Sequence, residues 1–220
     1  MQAFFVSGIG TGIGKTFVSA LLAEALYADY WKPVQAGYEE GTDAETLRSL
    51  ISNPHTVIHP EAYRLKMPAS PHIAAREENI RIDTDLIREQ FRNLNPERPL
   101  IIEGAGGLLV PLNETEMVID LVRKLGARLI LVSRNYLGSI NHSLLTAEIC
   151  RWRKLPVAGW VFNDRFMDYE GEIVNRTGIP SLCSVPLLAN ITRKTVAVEA
   201  DRVRDRVGNL LMSVQGHPGE

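Results

Sequence analysis

Residues 8–16 read Gly-Ile-Gly-Thr-Gly-Ile-Gly-Lys-Thr and carry the strongest chemical signal in the chain. They follow a short apolar run, Ala3–Val6, and precede apolar residues at helical spacing. Strand, glycine-rich turn and helix are the context that a phosphate-binding loop requires. Backbone N–H groups of such a turn and the helix N-terminus face a bound anion. Lys15 would supply a charge for the β- and γ-phosphates, and the Thr16 hydroxyl is a possible ligand for Mg²⁺.

The glycine spacing of this loop departs from the usual pattern. Five residues separate Gly8 from Gly14, whereas the usual spacing of four would put the first glycine at Ile9. A dinucleotide fingerprint fits worse, because it requires glycine where Ile13 or Lys15 stands. A flexible turn with a solvated lysine is the simpler alternative, and the flanking strand and helix argue against it.

The second informative stretch is Leu-Ile-Ile-Glu-Gly-Ala-Gly-Gly at residues 100–107. It predicts a buried strand that delivers one carboxylate, Glu103, followed by glycines. A phosphate-binding loop needs an acidic partner for its magnesium at the end of a neighbouring strand, and Glu103 fits that role. The glycines would let backbone approach phosphates closely. Helix capping explains Glu103 poorly, because no helix start is predicted there.

Lys32 and Asp43 are more ambiguous. Lys32 follows a short strand that Pro33 ends, on the side where open α/β sheets bind ligands, but taken alone it reads as a surface lysine. Thr42 and Glu45 have capping-box spacing, which puts Asp43 in the first turn of a short helix. The residues alone favour a helix-dipole role for Asp43 over a metal-binding one.

Two later segments could also contact ligands. Residues 136–142 open a predicted helix whose free N–H groups form a possible second anion site, although capping by Ser139 or Asn141 explains the composition equally well. Another apolar strand ends in Asn163 and Asp164 at the ligand edge of the sheet. The amide of Asn163 both donates and accepts, which suits the edge of adenine.

The elements that would position these residues alternate along the chain. Apolar runs of strand length separated by helical patterns predict parallel strands with crossover helices, and we expect one domain over residues 1–220. The runs are Ala3–Val6, Leu100–Ile102, Leu129–Val132, Val157–Phe162 and Ser181–Val185. Helices are predicted over residues 82–94, over 117–125 with Asn113 and Glu116 as caps, over about 139–153 and around 203–211, with a turn at 70–72.

Composition excludes several classes of function. A net charge of −2 over 220 residues provides no basic field for nucleic acid or anionic membranes. The two cysteines form no CxxC pair, which favours a reducing compartment. His55 and His59 lie between prolines, which disfavours a helix presenting both to zinc. The start carries no signal-peptide pattern and no apolar run has membrane-spanning length, so we expect a cytoplasmic protein.

Taken together, the motifs resemble the dethiobiotin synthetase family. They occur in the order of that family and span most of the chain, and the Lys-Pro-Val and Glu-Gly-Ala-Gly-Gly segments are together specific. The matching segments are Gly8 with Gly14-Lys15-Thr16, Trp31-Lys32-Pro33-Val34, Ser70-Pro71-His72, Glu103-Gly104-Ala105-Gly106-Gly107, Gly138 with Ile140-Asn141-His142, and Gly159-Trp160-Val161 with Asn163-Asp164.

The resemblance implies a homodimeric, three-layer α/β P-loop NTPase-like fold with a mostly parallel central sheet. It implies an ATP-dependent cyclo-ligase of biotin biosynthesis that uses ATP, Mg²⁺, CO₂ and 7,8-diaminononanoate. One substrate amine forms a carbamate, ATP phosphorylates the carbamate, and the second amine closes the ureido ring and expels phosphate. This chemistry depends on positioning and charge neutralisation more than on a protein nucleophile.

By the same resemblance, Lys15 and Lys32 are catalytic, and Thr16, Asp43 and Glu103 are the magnesium ligands, which replaces the dipole role of Asp43. The implied nucleotide-binding residues are Gly12, Ile13, Gly14, Lys15, Thr16, Phe17, Asp43, Glu103, Gly104, Ala105, Gly106, Asn163, Asp164, Pro186, Leu187 and Leu188. The substrate-binding residues are Thr11, Lys32, Gly106, Ser139 and Asn141. The last two would hold the substrate carboxylate across the dimer interface.

The chain also departs from the family pattern. Gly10 and Gly12 stand where relatives often carry acidic residues, and Ala36 stands where a hydroxyl residue is usual. Two alternatives belong to other classes. A partitioning-type ATPase switch usually carries a lysine at the position of Gly10 and often a basic surface or amphipathic tail. An amidoligase of the cobyrinic acid synthase type would need a glutaminase domain, for which we expect no room in 220 residues.

Overall fold

A seven-stranded, fully parallel sheet organises the computed structural model, which describes residues 2–94, 96–165 and 169–212. The strands are β1 (Ala3–Gly8), β2 (Asp29–Trp31), β3 (Val34–Ala36), β4 (Ile58–His59), β5 (Tyr63–Leu65), β6 (Leu100–Gly107), β7 (Arg128–Arg134), β8 (Val157–Arg165) and β9 (Ser181–Pro186). Their order in the main sheet is β4-β2-β6-β1-β7-β8-β9, and β3 pairs with β5 in a small second sheet. The central strands are nearly continuous apolar runs, as expected for a parallel sheet that is covered on both faces.

Helices cover both faces of the main sheet, giving three layers. They are α1 (Lys15–Leu26), α2 (Asp43–Leu50), α3 (Pro71–Glu77), α4 (Thr84–Leu94), α5 (Val118–Leu125), α6 (Ser139–Trp152), α7 (Tyr169–Thr177) and α8 (Arg193–Met212). Alternate residues of β1 point to opposite faces. Val6 therefore joins a core formed with α1, α2 and α8, while Phe5 joins a second core formed with α4, α5 and α6.

The predicted α/β fold with a parallel central sheet is confirmed, and most predicted elements are found with shifted ends. Strand β6 continues through the glycines to Gly107, so Glu103 lies within the strand and not at its end. The capping box of Thr42 and Glu45 is present at the start of α2. In the part of the chain that the structure describes, no helix combines the length and apolarity that crossing a membrane requires.

Two predicted local structures are wrong. Asn113 and Glu116 do not cap α5: the Asn113 side-chain oxygen accepts from the backbone N–H of Glu116 at 2.8 Å and closes a turn upstream. The helix begins at Val118, after Met117, whose N–H donates to Asp120 at 3.0 Å. The predicted turn at residues 70–72 is the start of α3, because Pro71 occupies a first-turn position, where its missing N–H costs nothing.

The outer edge of the sheet at β9 is covered by side chains of α8. Arg202 donates to the backbone carbonyl of Ser184 at 2.7 Å, and Arg206 donates to that of Ser181 at 2.9 Å. These carbonyls lie in the strand that has a neighbour, β8, on one side only. The two arginines therefore occupy acceptors that an edge strand otherwise presents to solvent.

Candidate functional site

The phosphate-binding loop connects β1 to α1 as the sequence predicts. Gly12 has φ 72° and Gly14 has φ 88°, both in the left-handed region that favours glycine. A Cβ atom on Gly14 would also overlap the side-chain amide of Asn163. The loop backbone therefore depends on glycine at these two positions, and α1 begins at the next residue, Lys15.

Four polar side chains converge beside this loop. The Thr16 hydroxyl lies 2.6 Å from Asp43 Oδ1 and 3.0 Å from Glu103 Oε1, so its single proton is shared between two carboxylate acceptors. Lys32 Nζ lies 3.2 Å from the same Glu103 oxygen and forms a closer ion pair with Asp43. The four residues form one hydrogen-bonded cluster, which we call the carboxylate–lysine cluster.

Sheet register brings these residues together. Trp31 in β2 pairs with Ile102 in β6, so the following residues, Lys32 and Glu103, lie side by side at the ligand edge of the sheet. The capping box then fixes the first turn of α2, which carries Asp43. Elements far apart in sequence thus deliver two carboxylates and one ammonium group to the start of α1.

Burial and mutual charge determine protonation in the cluster. Burial opposes the charge of Lys32, but the charges of Glu103 and Asp43 outweigh it and raise the lysine pKa. Burial likewise disfavours the charged form of Asp43, but Lys32 lowers its pKa overall. The ion pair is therefore charged at neutral pH.

Lys15 lies in the loop itself and is almost fully buried. Its ammonium group donates to the carbonyl of Gly10 at 3.3 Å, which folds the side chain back over the loop. Burial lowers the pKa of Lys15. An anion bound in the loop would restore a direct counter-charge, so the geometry favours an anionic ligand there.

Tyr30 is a member of the site that the sequence analysis missed. Its hydroxyl donates to Glu103 Oε2 at 2.9 Å, on the carboxylate oxygen opposite the one that contacts Thr16 and Lys32. Burial, and then the charge of Glu103, raises the pKa of Tyr30 well above its usual range, so the hydroxyl remains a donor. An apolar strand pattern containing one tyrosine carries no signal for this contact.

The cluster opens into a cleft of about 730 Å³. Most predicted phosphate-loop and substrate residues line it. Pro68–Pro71, for which no ligand-binding role was predicted although Ser70 and Pro71 belong to a family segment, forms one wall together with Ala36 and Val110. The predicted residues that line the cleft are Thr11, Gly12, Gly14, Lys15, Thr16, Lys32, Asp43, Glu103, Ala105 and Gly106.

The other predicted nucleotide residues lie outside this lining. The side chains of Ile13 and Phe17 belong to the core formed with α1, and a Cβ on Gly104 would lie 2.6 Å from the Phe5 ring. Pro186 ends β9, Leu187 is exposed, and Leu188 packs against the core.

Asn163 contacts the phosphate-binding loop directly, and Asp164 is linked to the loop through Arg134. The Asn163 amide donates to the carbonyl of Ile13 at 2.9 Å, and its oxygen accepts from the N–H of Asp164 at 3.0 Å. Asp164 pairs with Arg134, which also donates to the carbonyl of Gly12 at 3.2 Å. Arg134 is a second loop contact that the sequence analysis missed, because the predicted strand ended at Val132 whereas β7 continues to Arg134.

At the start of α6, the backbone N–H of Ser139 donates to the carbonyl of Tyr136 at 2.9 Å, whereas those of Ile140 and Asn141 have no backbone partner among the described residues. Its N-cap residue, Gly138, has φ 106°, and neither Ser139 nor Asn141 caps the helix with its side chain, so the capping alternative is wrong. The Ser139 hydroxyl is buried and has no hydrogen-bond partner among the described residues. This helix start does not line the cleft beside the carboxylate–lysine cluster.

The donor set of the cluster fits magnesium. The Thr16 hydroxyl and the Asp43 and Glu103 carboxylates are hard oxygen ligands. Over the described ranges, no three His, Cys, Asp or Glu side chains gather into a metal site of their own. Magnesium commonly binds through one or two carboxylates together with phosphate oxygens, so two carboxylates beside a phosphate loop suit a nucleotide-bound ion.

Comparisons with known proteins agree with the motifs. A family described as AAA domain matches residues 2–195. An ATP-dependent dethiobiotin synthetase BioD from Cytophaga hutchinsonii is 49% identical over 206 residues, covering 93% of this chain and 98% of the relative. The protein of the same name from Agrobacterium fabrum is 46% identical over 190 residues, covering 86% and 88%.

Solved structures share the fold at low identity. The septum site-determining protein MinD from Pyrococcus horikoshii has a TM-score of 0.59 at 14% identity, covering 97% of this chain and 96% of that one. A ParA family ATPase from Chlorobium tepidum has a TM-score of 0.58 at 13% identity, covering 96% and 94%. These likenesses support the P-loop ATPase fold alone. The near-complete coverage at 41–49% identity among the dethiobiotin synthetases shows the family, and this chain belongs to the dethiobiotin synthetases.

Proposed function

We propose that this protein is an ATP-dependent dethiobiotin synthetase that converts 7,8-diaminononanoate, CO₂ and ATP to dethiobiotin, ADP and phosphate. The observation that carries the proposal is the carboxylate–lysine cluster, in which Lys32 faces a cleft that the phosphate-binding loop also lines. A cation beside a phosphate loop suits a reaction in which an anionic substrate attacks a phosphoryl group.

The reaction balances without a protein nucleophile. One substrate amine adds to CO₂ and loses a proton, which forms a carbamate. A carbamate oxygen attacks the γ-phosphorus and ADP leaves, which forms a mixed anhydride. The second amine attacks the carbamoyl carbon and loses a proton, phosphate leaves, and the ureido ring closes. We assign Lys32 to the carbamate and the transferring phosphoryl group, and Lys15 to the β- and γ-phosphates.

Thr16, Asp43 and Glu103 would hold Mg²⁺ together with nucleotide oxygens. The bound ion would neutralise charge on the transferring phosphoryl group. Lys32 bridges both carboxylates in the structure, so it orients the two metal-binding side chains as well as the substrate. Asn163, Asp164 and the segment Pro186–Leu188 are the proposed adenine contacts, supported by the position of Asn163 against the phosphate loop.

We further propose that two copies form a homodimer through α6. Three large apolar side chains in or just before this helix are strongly exposed: Leu137 (96%), Leu145 (61%) and Trp152 (72%). Apolar surface of this kind marks interaction sites. Asn141 is exposed at the start of the same helix, where the N–H groups of Ile140 and Asn141 have no backbone partner among the described residues. A second subunit could thus supply the anion site for the substrate carboxylate, which lies at the opposite end of the substrate from its amines.

The remaining assignments follow from composition. We propose that residues 1–220 act as one domain on small molecules and not on nucleic acid or membranes, in line with a net charge of −2. Both cysteines, Cys150 and Cys183, are buried and free, and burial raises the pKa of each thiol to about 12. Unreactive free thiols agree with a cytoplasmic location.

The test is phosphate release from Mg-ATP with diaminononanoate and bicarbonate present, and with each omitted in turn. Release that requires both substrates, with dethiobiotin detected by mass spectrometry, is the expected result. Release that continues without diaminononanoate would instead indicate an ATPase switch of the partitioning type.

A further inference from the structure

The contact between Tyr30 and Glu103 assigns a role to a residue outside the cleft. Tyr30 lies in β2 and is fully buried, and its hydroxyl donates to Glu103 Oε2 at 2.9 Å. The other carboxylate oxygen, Oε1, contacts Thr16 and Lys32. Oε1 therefore faces the site, whereas Oε2 accepts the hydrogen bond from Tyr30.

We propose that Tyr30 is a positioning residue, whose hydroxyl fixes the Glu103 carboxylate so that Oε1 faces the metal-binding side of the site. This inference rests on the proposed role of Glu103 as a magnesium ligand. Tyr30 does not line the cleft, so it acts only through Glu103.

Sheet register explains why a tyrosine is suited to this position. Tyr30 pairs with Ile101 in the neighbouring strand, and Glu103 follows two residues later on the same face. Two residues of strand span roughly 6–7 Å, which a phenol ring bridges with its terminal hydroxyl. A shorter polar side chain at position 30 would not reach Glu103, and phenylalanine would reach it without a donor.

The burial of Glu103 means that loss of the Tyr30 hydrogen bond would affect the position of its carboxylate. The carboxylate is almost fully buried, so water does not readily replace a missing donor. Without the Tyr30 hydroxyl, Oε2 would remain unpaired, and the carboxylate would turn toward the donors Thr16 and Lys32. The oxygen presented to a metal would then change its position. Partners that orient a metal ligand in this way commonly change metal affinity by about 10–100-fold.

The test is a magnesium titration of nucleotide binding by calorimetry. The probe is the non-hydrolysable ATP analogue with an imido bridge between the β- and γ-phosphates. For Tyr30→Phe, we expect the magnesium concentration for half-maximal binding to rise about 10-fold. Magnesium-free binding of the same analogue should match that of the parent, because the phosphate loop is unaltered. A merely structural defect would weaken binding in both conditions.

Tyr63→Phe is the matched control. Tyr63 lies in β5, and its hydroxyl accepts from the N–H of Asp83 at 3.0 Å, away from the carboxylate–lysine cluster. This variant also removes one phenol hydroxyl, but its magnesium titration should match that of the parent. An equal shift in both variants would overturn the inference.

Glu103→Gln separates this inference from the proposed function. If Glu103→Gln leaves the magnesium titration unchanged, the metal role of Glu103 is wrong and the inference falls with it. If Glu103→Gln shifts the titration but folded Tyr30→Phe does not, only the positioning role is overturned.

The double variant Tyr30→Phe/Glu103→Gln keeps the test decisive even if Tyr30→Phe alone is unstable, because it leaves no unpaired buried charge. Its magnesium requirement should equal that of Glu103→Gln. An additional shift would mean that Tyr30 acts on magnesium binding by another route, which would overturn the inference.

Discussion

The ammonium group of Lys32 lies 3.2 Å from the carboxylate oxygen Oε1 of Glu103, and both side chains are buried. The pair joins the residue after β2 to a residue within β6, across adjacent parallel strands. A buried ion pair in this setting contributes little net stability, because desolvation offsets the attraction, but it fixes the positions of the charges. The ion pair therefore serves mainly to hold the Lys32 ammonium group and the Glu103 carboxylate in fixed positions.

Replacing Lys32 tests this geometry. Lys32→Gln should lower kcat about 10²–10³-fold, because a preorganised charge at the transferring group is lost. Calorimetry should show retained ATP binding, since the phosphate-binding loop is intact. Lys154→Gln is the control, because Lys154 is exposed in the turn after α6. Loss of ATP binding with high residual turnover would contradict the role given to Lys32.

Lys15→Ala should lower turnover about 10²–10³-fold or more, because the loop loses the cation that faces the phosphates. Steady-state phosphate release measures the effect. In the structure Lys15 contacts only a backbone carbonyl of its own loop among the hydrogen bonds of the described residues, so little else should change. A variant with nearly parental turnover would contradict the assignment of the loop.

Two glycines of the phosphate loop should respond differently to alanine. A Cβ on Gly8 would overlap Ile13 Cδ1 and lie 2.9 Å from the carbonyl oxygen of Gly10, whereas a Cβ on Gly10 meets nothing within 4 Å. Gly8→Ala should destabilise by about 1–3 kcal/mol through overpacking, and Gly10→Ala by less than about 0.5 kcal/mol. Urea denaturation measures both. Equal losses would contradict the difference in local space.

Because of Glu24, the free energy of unfolding should decrease as the pH falls into the acid range. This buried carboxylate on α1 accepts hydrogen bonds from the N–H groups of Ser52 and Asn53 at 2.9 and 3.2 Å. Burial opposes the charge, but the hydrogen bonds from Ser52 and Asn53 lower the pKa below 4.5. The stability it contributes is present above pH 4.5 and is lost as the pH falls through the lowered pKa.

Glu24→Gln should therefore destabilise at neutral pH by about 1–3 kcal/mol, because the amide cannot accept as many of these bonds. The difference from the parent should shrink as the pH falls below 4.5. Thermal melting across pH measures it. Glu148→Gln, at an exposed ion pair with Arg151, is the control and should change little. A constant difference across pH would contradict the assigned protonation.

Sequence patterns predicted the parts of the fold and the site that are determined by residues close together in the chain. Three features each lie within a short stretch of sequence whose residue types indicate the local structure. They are the phosphate loop, the strand carrying Glu103 and the capping box before Asp43. The residues alone favoured a dipole role for Asp43. The family resemblance replaced that role with metal binding, and the structure places Asp43 in contact with Thr16 and Lys32.

Contacts that depend on the pairing register of neighbouring strands could not be predicted from the sequence. Tyr30 meets Glu103 because β2 lies beside β6, although many residues separate the two strands along the chain. The small sheet of β3 and β5 has strands of only three residues each, too short to show a period. The start of α5 was misplaced because Asn113 and Glu116 have the spacing of a cap but close a turn upstream.

The covered edge at β9 has a consequence for how copies of this protein meet. An open strand edge invites another chain to add to the sheet, a route to polymerisation without a natural end. Arg202 and Arg206 obstruct that route at one border, and at the other border β4 has only two residues. Growth of the main sheet by strand addition is therefore disfavoured on both sides. Any assembly of copies would therefore have to use surfaces other than the borders of the main sheet.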